Sequence, residues 1–153
     1  MARVEHLINA APEQIFAVLA DGWTYSDWVV GTAHIRDVDP DWPAPGTQLH
    51  HKAGPWPFSV RDTTVSLDCQ PPRLLLVAPK LWPLGAARVT FELVALGPTT
   101  TRVAMTEEFA EGPLHLVRTV IENVALRWRN KESLRRLGDL ATRRVPKLSE
   151  RRG

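Results

Sequence analysis

The sequence predicts an α+β domain in which one antiparallel sheet is covered on one face by a long C-terminal helix. Three observations carry that prediction. Six successive β-type segments are joined by short turns, which makes neighbours antiparallel. One segment, Leu114 to about Ala141, has no internal proline and holds its one glycine, Gly138, near its end. No repeat, low-complexity block or convincing domain boundary interrupts the chain, so that helix is the only element large enough to cover the sheet.

Taken in order, "RVEHLINA" alternates as a strand, with Val4, His6 and Ile8 on one face and Arg3, Glu5 and Leu7 on the other. "APEQIFAVLAD" follows as a helix. Pro12 suits its first position, Glu13 its N-terminal dipole, and Ile15, Phe16 and Leu19 its apolar stripe. "DGWTYSDWVVGT" crowds Trp23, Tyr25 and Trp28 into what reads as a second, short helix ending at Gly31. "AHIRDVD" is a strand, "PDWPAPG" a turn set by its prolines and Gly46, and "TQLHHKA" a strand.

"GPWP" breaks the chain before the β-branched "FSVRDTTVSLD", and "QPP" before "RLLLVAP". After the turn "KLWPLG", the strand "AARVTFELVAL" sets Val89, Phe91 and Leu93 against Arg88, Thr90 and Glu92. "GPTT" connects it to "TRVAMTEEF". On the long helix, Val117, Val120, Ile121, Val124 and Trp128 fall at spacings of three and four. Beyond Trp128 that stripe weakens, so the first half of the helix is expected to face the core.

Composition narrows the classes of function. The chain has 153 residues, 44% of them apolar, which suits one globular domain. We assign residues 1–144 to it and read 145–153 as a basic, flexible tail. No run reaches the roughly 18 apolar residues of a membrane span. Glu5 and His6 interrupt the N-terminus where a secretory signal would be apolar, so a cytosolic location is expected. Cys69 is the only cysteine, which excludes an internal disulfide and is read as inert.

The net charge of +2 conceals ten Lys+Arg against three Asp+Glu from Arg127 onward. A nucleic-acid footprint would look like this, but a solvated helix end and tail account for it better. The five histidines are scattered, and His50 and His51 diverge as strand neighbours, so no metal site is expected. No phosphate loop or nucleophile elbow is present, and no cofactor is expected.

The pieces "INAAPEQIFAVLAD", "YSDWVVGTAHIRDVD", "PAPGTQLHHKAGPWPFSVRDTTVSLDCQPPRLLL" and the final helix with "RNKESLRRL" resemble the START-like or SRPBCC superfamily. The resemblance is to its small actinobacterial polyketide cyclase/dehydrase and lipid-transport proteins, and it covers nearly the whole chain. It implies a helix-grip fold: a curved seven-stranded antiparallel sheet around a long C-terminal helix, two short helices after the first strand, and a cavity between sheet and helix. Members bind lipids, polyketides, sterols or other apolar molecules, and some are cyclases or other lyases.

In that frame Trp23, Tyr25 and Trp28 would line or cap the cavity's end, with Trp28 near its mouth. Rings suit that place, giving large contact area with a polar edge that tolerates water. The sheet would contribute Val4, Ile8, Val89, Phe91, Leu93, Val103, Met105 and Phe109, and the helix Val117, Ile121 and Val124. Trp56 and Trp82, in turns, are read as covering strand ends. Every one of these residues would equally serve a solid core.

Three polar residues are candidates for acid–base chemistry. In "VAMTEEF" Glu107 shares a face with Val103, Met105 and Phe109, so it points toward the helix, where a carboxylate loses solvation and calls for a partner. His6 shares the apolar face of the first strand. His51 falls with Leu49 and Ala53, facing inward while His50 faces out.

The leading expectation is a binder of a polyketide-, fatty-acid- or isoprenoid-like molecule. The first alternative is a cyclase or dehydratase in which Glu107 and His51 or His6 move protons. The second is a protein-interaction module acting through the basic C-terminus. A homodimer is compatible with all three.

Overall fold

A computed structural model describes residues 2–30, 32–53, 60–80, 86–111 and 120–152. Val117, Trp56, Trp82, Gly31 and the start of the long helix before residue 120 lie outside the described residues, as do the side chains of Phe109, Val120 and Ile121.

Seven strands form one sheet: β1 (Ala2–Ile8), β2 (Thr32–Val38), β3 (Gln48–Ala53), β4 (Val60–Gln70), β5 (Leu74–Pro79), β6 (Ala86–Gly97) and β7 (Thr100–Glu111). All neighbours are antiparallel, in the order β1-β7-β6-β5-β4-β3-β2. Strands β2 to β7 therefore form a meander, and β1 closes the sheet beside β7. Period-2 alternation decides the faces: on β6, Val89, Phe91 and Leu93 are buried, while Arg88 is exposed. Register shifts in β2, between Thr32 and His34 and between Ile35 and Asp37, mark bulges that bend this edge strand.

Helix α1 (Pro12–Leu19) opens with Pro12 at its first turn, and the Gln14 side chain accepts the Ala11 N–H at 3.0 Å. Ile15, Phe16, Val18 and Leu19 are buried. A 3₁₀ turn (Gly22–Thr24) leads into the single-turn helix α2 (Tyr25–Trp28). Gly22 is the residue that lets this turn sit on the sheet. A Cβ there would stand 2.5 Å from Leu49 Cδ1 and 2.9 Å from Val38 Cγ1.

Helix α3 (Val120–Arg152) packs on β1, α1, α2 and β7, and its helical backbone runs on through residues 145–152. Its core-facing side corrects the expected stripe. Asn130, Ser133, Leu134, Leu137 and Ala141 are buried, whereas Val124 is 62% and Trp128 68% exposed. The reason is angular: at 3.6 residues per turn Val124 and Leu137 stand about 140° apart, so one helix cannot bury both against the same sheet. Among the described side chains of the helix, the buried ones begin at Asn130. Beyond it, Gly138 brings α3 close to β1, since a Cβ on it would lie 3.2 Å from Ile8 Cγ1.

Candidate functional site

The aromatic stretch after α1 becomes an inner wall. Tyr25 and Trp28 are buried, at 5% and 0% exposure, with ring centroids 4.8 Å apart. Trp28 meets Phe91 of β6 edge-on at 5.6 Å, and Tyr25 meets Trp42 of the β2–β3 connection at 5.8 Å. The Leu19 carbonyl at the end of α1 accepts both the Tyr25 hydroxyl, at 3.0 Å, and the Trp42 indole N–H, at 3.4 Å. Burial pushes the Tyr25 phenol above its ordinary pKa, with Cys69 a lesser cause, so it stays a hydrogen-bond donor. The Trp28 indole N–H is buried and has no hydrogen-bond partner among the described residues.

Opposite this wall stands a polar cluster. Glu107 emerges from β7 on the inner face, between Val89 across the β6 pairing and Ala2 across the β1 pairing. Its side chain is 3% exposed. Arg129 Nη2 donates to both of its oxygens, at 2.7 and 2.5 Å, and Asn130 Nδ2 donates to Oε2 at 2.9 Å. Arg129 Nε donates in turn to Asn130 Oδ1 at 3.3 Å. One turn on, Ser133 donates to the Arg129 carbonyl at 3.0 Å and accepts the Val30 N–H at 3.1 Å, tying the end of α2 to α3. A buried carboxylate is tolerable only with such partners.

Between wall and cluster lies a partly open cavity of about 130 Å³. Tyr25, Leu49, Val77, Val89, Phe91 and Met105 give it apolar sides; Glu107, Arg129, Asn130 and Ser133 form one polar side. His51 and Thr64 form another, with His51 Nε2 3.0 Å from Thr64 Oγ1. His51 is 4% exposed, as the alternation of β3 requires.

The structure thus brings Glu107, His51, Tyr25, Phe91 and Met105 to one cavity and separates others from it. His6 is half-buried on β1 opposite Val103 and does not line the cavity. Trp28, Leu93, Val103, Val4 and Ile8 are buried in the core around it, so Trp28 is a packed wall residue and not a mouth residue. Trp23, in the 3₁₀ turn two residues before Tyr25, is 55% exposed and points away from the core, because residues two apart on a helical turn do not share a face. Val124 is likewise outside.

Arg129, Asn130, Ser133, Thr64 and Trp42 were not singled out by sequence. The spacing Asn130–Ser133–Leu134–Leu137–Ala141 is a regular helical stripe, but its two polar members mask it. Among the described residues no group of three or more His, Cys, Asp or Glu could hold a metal ion, and no helix is long and apolar enough to cross a membrane.

A curved antiparallel sheet gripping a C-terminal helix over a lined cavity defines a helix-grip protein. The chain belongs to the family described as polyketide cyclase / dehydrase and lipid transport, whose model matches residues 1–142. Solved structures share the fold at low identity. One is the Zhui aromatase/cyclase from Streptomyces sp. R1128, at 19% identity and TM-score 0.68, covering 94% of each chain. A protein from Arthrobacter aurescens has 14% identity and TM-score 0.71, over 92% of this chain and 85% of its own. CalU16 from Micromonospora echinospora has 14% identity and TM-score 0.64, over 98% and 81%. Comparison with curated proteins found no match.

Proposed function

We propose that this protein binds a small apolar or amphipathic molecule in the cavity between the sheet and α3. The observation that carries this reading is a partly open space of about 130 Å³ whose sides are aliphatic and aromatic and whose polar groups gather at two places. Ligand pockets combine mostly apolar walls with a few converging polar groups in this way. The volume is close to the ~150 Å³ of a dry apolar cavity that accepts one benzene ring. The family description, which joins cyclases with lipid transport, supports the same reading.

Toluene and indole, added at increasing concentration, raise the melting temperature, since a ligand that binds only the folded state stabilises it by about 2.7 kcal/mol at a hundredfold excess over Kd. Met105→Trp, which fills the space, folds but loses this response. An unchanged melting temperature with both probes overturns the proposal.

A second reading, acid–base catalysis of a cyclase or dehydratase type, is favoured by one observation: buried His51 shares the cavity with Glu107. With Glu107 held by Arg129 and Asn130, His51 is the better proton carrier of the two. This reading expects His51→Gln to keep probe affinity and lose turnover of a polyketide-like substrate; equal turnover in both proteins removes it.

A further inference from the structure

Resting on the cavity-binding reading above, we propose that Glu107 sets the charge of the head group that the cavity admits, accepting uncharged hydroxyl- or carbonyl-bearing molecules and turning carboxylates away. Among the described residues, the charged groups on the cavity wall are Glu107 and Arg129, and His51 is its third titratable group apart from the Tyr25 phenol. Glu107 and Arg129 neutralise each other, through the 2.7 and 2.5 Å bonds from one guanidinium nitrogen to both carboxylate oxygens. Asn130 braces the pair, donating to Glu107 and accepting from Arg129. The Ser133 hydroxyl joins Val30 to the Arg129 carbonyl. The paired carboxylate and guanidinium leave this polar side with no net charge.

A carboxylate ligand has two ways in, both unfavourable. It can sit beside the intact pair and place a second negative charge against Glu107 among Val89, Phe91 and Met105. Or it can draw Arg129 away, leaving a carboxylate that is 3% exposed with Asn130 alone. An uncharged hydroxyl needs neither. Among the described residues Glu107 Oε1 accepts a single hydrogen bond and Arg129 Nη1 makes none, so a hydroxyl can donate to the first and accept from the second. The acid-headed member of the expected ligand classes, a free fatty acid, is thereby disfavoured relative to a neutral one.

The test measures affinities of 4-methylphenol, 4-methylbenzoate and its methyl ester by calorimetry at about pH 8, above the ordinary histidine range. The ester is larger than the acid but neutral, so it separates charge from size. The wild-type protein is expected to bind the phenol and the ester at least about tenfold more tightly than the acid. In Glu107→Gln, where Arg129 has lost its counter-charge, the acid gains at least about tenfold while the phenol changes less. Acid bound as tightly as phenol and ester in the wild type, or an acid that gains nothing in a folded Glu107→Gln, overturns the inference and leaves the binding reading standing. No binding by any neutral probe removes the binding reading, and this inference with it. If Glu107→Gln does not fold, the wild-type comparison of acid with ester decides alone.

Discussion

Glu107 keeps a carboxylate inside the core, and the guanidinium of Arg129 and the amide of Asn130 replace the water it has lost. A double-mutant cycle with Glu107→Gln and Arg129→Gln is expected to give a coupling of about 1–3 kcal/mol by urea denaturation, reduced from a fully buried pair because Arg129 is 34% exposed. Additive single-mutant effects would mean that the pair holds nothing together. The carboxylate itself is legible in the sequence, since its alternation with Val103 and Met105 turns it inward, and the same argument places His51. Its partner is not. Arg129 sits within a run of basic residues whose charges look interchangeable, and its role emerges only where α3 crosses β7 with a buried carboxylate opposite.

At the scale of the element, α3 is the instructive case. Its existence followed from an uninterrupted, proline-free segment. Its orientation did not, because two apolar stripes compete, and the described members of the more aliphatic one, Val124 and Trp128, stand exposed. Leu137→Ala is expected to cost about 2–5 kcal/mol by leaving a void in the core, while Trp128→Ala stays within about 0.5 kcal/mol of wild type. The reverse order in thermal melts would return the core to the first half of the helix.

The exposed side of α3 carries its own charge lattice, Glu132 with Arg135 and Arg136 and Arg135 with Asp139. Hydrogen bonds from Arg135 and then Arg136 hold the Glu132 carboxyl down at about 2, against an ordinary 4.5. A carboxyl lowered on folding stabilises the protein above its unfolded value and ceases to do so as pH falls through its folded one. The stability difference between wild type and Glu132→Gln is therefore constant above about pH 5.5 and narrows between 4.5 and about 2. A difference flat across that window would show that these arginines do not hold Glu132 in solution.

For the whole molecule, strand alternation and turn residues set out the β2–β7 meander, since each short turn dictates an antiparallel neighbour, but no turn places β1 beside β7. The space inside was beyond reach, because the residues that line a cavity and those that fill a core are chemically the same. Only three-dimensional placement shows that Phe91 and Met105 border open volume while Leu93 and Val103 pack solidly.

The position of β1 at the sheet's end, with Val4 opposite Met105, also dictates when the fold can finish. The first of the seven strands to be synthesised pairs with the last, so Val4 and Ile8 have no β partner in this sheet until nearly all of it has been made. Closure is a late, long-range event that carries a large loop-entropy cost. Until then the nascent chain presents an unpaired greasy strand, and this is where assistance by a chaperone would matter most.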